Sequence, residues 1–170
     1  MTIRIRIVGV GSPSGDDRLG WIAAGGLRRS PALSGIAPQT LAIVALDRPG
    51  TGLLEDLGDL AALIVIDAVR TGAAAGTLHR LCGSEIVHAS GWVSSHGFGI
   101  AEVLALGQVL GCLPPQVIVF GLEMADAGGG VEMLSAPVAA AMPVLIEAVE
   151  REVFGQIGGL VGTAKAPCKQ

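Results

Sequence analysis

Residues 63–67 read Leu-Ile-Val-Ile-Asp, and that short run constrains the fold more than any other stretch of the chain. Four consecutive aliphatic residues have no polar face to turn toward water. A strand of this kind is buried on both faces, which is the condition of a central strand in a parallel sheet covered by helices on each side. Asp67 then stands at the carboxyl end of a buried strand, where an unpartnered carboxylate is costly to desolvate. In open α/β sheets that rim is also the crevice in which ligands bind.

The remaining elements fit around this strand. Ile3–Val10 is rich in β-branched residues and gives way to a turn at Gly9-Val10-Gly11. A helix is expected over Leu19–Arg29, with Asp16 or Asp17 placed to cap it and Arg28 and Arg29 near its C-terminal dipole. Thr40–Leu46 reads as a second strand, closed by Asp47-Arg48-Pro49-Gly50 and followed by a short helix near Gly52–Leu57. Gly76–Leu81 is a weaker strand reached by a Gly/Ala loop. That loop is too short for a helical crossover, so the strand should run antiparallel to its predecessor. A helix over Gly97–Gly111, a strand at Val117–Phe120 and a long helix over Ala136–Phe154 complete the pattern, with Ser135 as its cap and a kink at Pro143. The expected architecture is a three-layer α/β/α sandwich around a five-stranded, mostly parallel sheet with one antiparallel strand. It forms a single domain over residues 1–155, with residues 156–170 as a loosely ordered tail.

Composition narrows the function classes. At 170 residues the chain is long enough for a sizeable core, and with 51% hydrophobic but 3% aromatic residues that core must be Ala, Val, Ile and Leu. A net charge of −4 without a basic stripe argues against nucleic acid. The mean hydropathy of +0.63 is high, but the central apolar run, Ala61 to Ile66, is far too short to span a bilayer. Cys82, Cys112 and Cys168 are odd in number, scattered and without a CxxC pair, so no disulfide framework or zinc knuckle is expected and a reducing cytoplasm is the simplest home.

Three polar positions fall where strands should give way to helices: Asp17 in Gly15-Asp16-Asp17, Asp67, and His96 in Ser94-Ser95-His96-Gly97. Two carboxylates and an imidazole converging on one rim make an oxygen-rich site suited to a divalent first-row metal with open positions. Each has a plainer reading. Asp17 serves equally as a helix cap, Asp67 as the acceptor of an Asx-turn, and His96 as a helix-entry residue. His79 and His88 lack such a context and read as incidental. The Gly9-Val10-Gly11 loop lacks the spacing of a dinucleotide fingerprint and the Lys-Ser/Thr of a P-loop, and no G-x-S-x-G elbow is present.

The segments GVGSPSGDDRLGW at 9–21, LDRPGTGLLEDL at 46–57, LIVIDAVRTGAAAGTLHRL at 63–81, SSHGFGIAEVLAL at 94–106 and LPPQVIVFGLE at 113–123, in this order and spacing, resemble the hydrogenase maturation proteases. These are endopeptidases that trim the large subunit of nickel–iron hydrogenases. The resemblance implies Asp17, Asp67 and His96 as the metal-binding and catalytic trio. It also implies nickel supplied by the precursor large subunit, and release of a short C-terminal peptide from that partner. Asp16 is then a second partner or a general base, or simply a cap. The chain departs from the family pattern at Ser12, where Asn is common, at Arg18, where Gly is common, and in a loop one residue shorter between Gly11 and Asp17. Two rival readings are a module that checks nickel in a partner without cutting it and a small flavodoxin-like nucleotide-binding enzyme.

Overall fold

The computed structural model describes residues 4–87, 93–94, 99–125 and 132–161. Five strands form one path across the sheet: β2 (Leu41–Asp47), β1 (Ile5–Gly11), β3 (Ala62–Arg70), β6 (Gln116–Glu123) and β4 (Leu78–Cys82). The first four run parallel, and β4 is antiparallel to β6. The expected direction of β4 is thus found, but its neighbour is β6 and not the strand before it. A two-residue strand, β5 (Val93–Ser94), adds an antiparallel pairing to the far end of β3 at Val69 and Arg70.

Side-chain alternation along the central strands builds two cores. Ile5 and Ile7 of β1, with Ala62, Ile64, Ile66 and Ala68 of β3, face Leu19, Ala23 and Leu27 of α1 (Leu19–Arg28). The same layer holds Val138, Leu145, Val149 and Val153 of α4 (Ala136–Val161). Val8, Val10, Leu63 and Val65 face the other way, against Ile86 of α2 (Ser84–Val87) and Ile100, Val103 and Leu104 of α3 (Ile100–Leu110). Leu53, in a 3₁₀ turn over Gly50–Leu54, joins that second core. The central strands are therefore buried on both faces, as the Leu63–Ile66 run requires.

Three differences from the sequence expectation have physical causes. β3 does not stop at Asp67 but runs on to Arg70, because Asp67, Ala68 and Val69 pair with Gly121, Leu122 and Glu123 of β6. Helix α4 continues through Pro143 and on to Val161, into the segment expected as tail, where Ile157 packs against the first core. The third concerns the cysteines: Cys112 is a free thiol, but Cys82 is disulfide-bonded, its partner lying outside the described residues. Spacing along the chain says nothing of proximity in space. Among the described residues no helix is long and apolar enough to cross a membrane.

Candidate functional site

Glycines set the geometry at the carboxyl rim of β1 and β3. A Cβ on Gly20 would overlap the Val10 carbonyl oxygen, lying 2.8 Å from Val10 N and 2.9 Å from Ile66 O. A Cβ on Gly9 would meet the Gly20 carbonyl in turn. Helix α1 thus starts in backbone-to-backbone contact with the two central strands, an approach only glycine permits. The 3₁₀ turn Gly15–Arg18 that precedes it is pressed onto the ends of β1 and β3.

That turn carries Asp17. Its backbone carbonyl sits against Gly11 and accepts from Ser12 N at 3.3 Å, while its carboxylate accepts from Ser12 Oγ at 3.1 Å. Ser12, where the family pattern has Asn, therefore holds the Asp17 carboxylate. Asp17 remains half-buried at the mouth. It also acts electrostatically on Arg48, whose guanidinium is held charged first by its hydrogen bond to Asp47. Arg48 adopts φ +42°, and its N–H donates to Gly11 O at 3.2 Å, tying the end of β2 to the same loop.

Asp67 is 1% exposed. By the alternation of β3 it lies on the α3 face, level with Gly121 of β6 and one residue beyond the Gly9–Ile66 pair. Its Oδ1 accepts from Ala68 N at 2.9 Å, a bond to the next residue and not the i+2 contact of an Asx-turn. His96 lies outside the described residues, as does His88. Asp17 and Asp67 share the rim, and among the described residues no group of three His, Cys, Asp or Glu side chains could hold a metal ion.

Asp16 does something different from its neighbour. It is 2% exposed and accepts three hydrogen bonds: Ala125 N at 2.9 Å, Ser135 N at 2.7 Å and Ser135 Oγ at 2.8 Å. Its charge thus sits before the first turn of α4, where a helix N-terminus favours an anion. The next residue but one, Arg18, donates to Glu132 O. Asp16 is committed to joining the β6 exit to α4, which leaves it poorly placed as a general base. Ser135, expected as a cap in its own right, gives its hydroxyl proton to Asp16.

Sequence reading missed Glu123, the last residue of β6 and 3% exposed. It accepts from Thr71 N at 2.7 Å, Thr71 Oγ1 at 2.8 Å and Gly72 N at 3.0 Å, and pairs with His79 Nε2 at 3.2 Å. Burial pushes this carboxyl up, but the bonds from Thr71, Gly72 and His79 outweigh it and hold the group below its usual value. His79 is therefore a partner of a buried carboxylate and not incidental. The available signal was the one used for Asp67, a carboxylate closing an apolar run (Val117–Leu122).

A family model described as hydrogenase maturation protease matches residues 45–152, a stretch that contains Asp67 and His96 and begins after Asp17. Among solved structures, the hydrogenase maturating endopeptidase HybD from E. coli is similar at TM-score 0.77 and 24% identity, over 90% of this chain and 93% of that one. A solution structure of an endopeptidase from Escherichia coli gives 0.73 and 24%, over 97% and 98%. The [NiFe] hydrogenase maturation protease HybD from Thermococcus kodakarensis gives 0.68 and 19%, over 89% and 99%. No curated protein matches the chain by sequence. At these identities the structures establish a shared fold.

Proposed function

The chain belongs to the hydrogenase maturation protease family, and from that premise we propose that it removes a C-terminal peptide from the nickel-loaded precursor of a nickel–iron hydrogenase large subunit. Asp17, Asp67 and His96 are the residues assigned to the task. The observation that supports this reading is the backbone contact of Gly20 with β1 and β3, which seats the turn carrying Asp17 against the strand that carries Asp67.

Nickel enters as part of the substrate, where it offers a positive charge and Lewis acidity. The chain offers two anionic oxygens and an imidazole, which seat that charge and bring the neighbouring peptide bond to the rim. Hydrolysis adds water to the scissile carbonyl carbon and breaks the C–N bond. A carboxylate of the pair takes the proton from the attacking water and returns it to the leaving amine. Asp16 is given a structural part, its carboxylate accepting from Ala125 N, Ser135 N and Ser135 Oγ.

The test is incubation with nickel-loaded and nickel-free precursors, read by the mass of the precursor's C-terminus. Wild type should cut the loaded precursor alone, and Asp17→Asn, Asp67→Asn and His96→Ala should be folded and inactive. Normal cutting by both Asn variants would sink the site. Cutting of the nickel-free precursor would remove nickel as the recognised element.

A further inference from the structure

Strand β2 is the edge of the sheet, and among the described residues no strand pairs with its outer side. Thr40 O accepts from Ile5 N and Arg48 N donates to Gly11 O, so the even-numbered residues direct their backbone groups to β1. The odd-numbered ones, Leu41, Ile43, Ala45 and Asp47, point theirs outward. On that side Leu41 N is taken by Ala37 O at 3.1 Å and Ile43 O by Arg28 Nε at 3.0 Å. Among the described residues, Ile43 N–H and both backbone groups of Ala45 have no such partner. Edges this apolar are usually blunted by charge, proline or a bulge. Residues 41–46, Leu-Ala-Ile-Val-Ala-Leu, carry none of the three.

A groove of about 260 Å³ lies beside the same edge, floored by Leu33, Ile36, Leu41 and Ile43, with Ser34 and Arg28 at its lip. From Ile43 to Asp47 is four residues, about 13 Å of extended chain. The edge thus leads from the groove to the rim, where Arg48 is bonded to the loop that carries Asp17.

We propose that the open edge of β2 receives an extended segment of the substrate protein as an added strand, one aliphatic side chain seated in the groove and the chain led to the rim at Asp47. This rests on the protease reading above. Backbone pairing supplies the attachment and the groove supplies the side-chain preference, the usual division of labour when a peptide extends a sheet. Arg28 at the groove lip favours an acidic residue next to the aliphatic anchor. A second copy of this chain is the poorer occupant. The open stretch is only a few residues long, far short of the roughly 1,200 Å² that a stable pairing of two proteins buries. A segment of a substrate already held at the rim needs no more than this.

The experiment uses the full chain and a nickel-loaded large-subunit precursor that retains its C-terminal extension. Amide exchange at Ala45 should slow at least tenfold in the complex. Ala45→Pro removes one outward N–H that the sheet does not use, a substitution edge strands tolerate. It should raise KM at least tenfold, with the loss concentrated in KM. Ser34→Trp, which fills the groove from an exposed position, should act in the same direction and decides the matter if the proline variant is unfolded. Unchanged exchange at Ala45, or wild-type KM in both variants, overturns the proposal. So does a dimer of the free protein that Ala45→Pro abolishes. A protected Ala45 with no cleavage would preserve the docking and defeat the protease reading. Cleavage without protection would do the reverse.

Discussion

Asp16 and Asp17 are adjacent carboxylates with opposite duties, and replacing each by Asn separates them. In Asp16→Asn the new amide would keep one acceptor oxygen. Placed at Oδ2, that oxygen still serves Ala125 N and Ser135 Oγ, but the amide nitrogen then faces Ser135 N. Placed at Oδ1, it serves Ser135 N, and Ala125 N is stranded instead. Either way one backbone donor loses its acceptor in a pocket where Asp16 is 2% exposed. A stranded donor of this kind costs about 1–3 kcal/mol. Loss of the negative charge at the α4 N-terminus adds about 0.3–1 kcal/mol. The expected loss for Asp16→Asn is therefore about 1–4 kcal/mol, a fall in Tm of roughly 3–16 °C for a chain of this size. Asp17→Asn weakens the bond to Ser12 and the attraction for exposed Arg48, both at a half-buried position where water can compensate, and should lose less than Asp16→Asn. Urea denaturation of both variants at neutral pH, with unchanged slope, measures the difference. The reasoning is refuted if Asp16→Asn is as stable as wild type, or if Asp17→Asn is the more damaged of the two.

Two further outcomes follow from the same geometry. Glu123 has its carboxyl held below the ordinary value near 4.3, so its contribution is fully present above that pH and is lost as pH falls through its lower, folded-state value. The stability gap between wild type and Glu123→Gln, followed by denaturation from pH 7 down to about pH 3, should narrow with acid, and a gap that widens would contradict the assignment. His79→Ala should show a smaller loss in the same assay with processing retained. Gly20→Ala must place a methyl group against the Val10 carbonyl and Ile66 O, backbone atoms of the two central strands that cannot retreat. Overpacking of about 1–3 kcal/mol should exceed the gain of about 1 kcal/mol in helix propensity. Because the Asp17 turn moves with the helix, processing should fall on the order of 100-fold. Wild-type stability and rate in this variant would show that the contact does not set the rim.

Leu63–Ile66 was legible as a central strand because burial on both faces leaves no polar position in the pattern, and no alternative element suits such a run. Its end was not legible. Asp67, Ala68 and Val69 continue the strand because β6 supplies partners for them, and no local feature of residues 67–70 announces that. Asp17 and Asp67 were singled out by the turn from strand to helix that follows β1 and by the carboxylate closing an apolar run. The same signal marks Glu123, which turns out to hold the Thr71–Gly72 turn and His79. A carboxylate at a strand end is thus visible in sequence, but its employment is not.

What the sequence determined by itself is periodicity: which stretches are buried on two faces, which on one, and hence a mostly parallel sheet between helices. What only the tertiary structure decided is pairing between distant groups. Asp16 and Asp17 look alike in a chain, yet one meets Ala125 and Ser135 from more than a hundred residues away and the other meets Ser12 from its own loop. Hydrophobic patterning is a property of a segment and is written along it. The partner of a hydrogen bond depends on where two segments come to lie, and that is settled when glycines such as Gly9 and Gly20 let backbones touch.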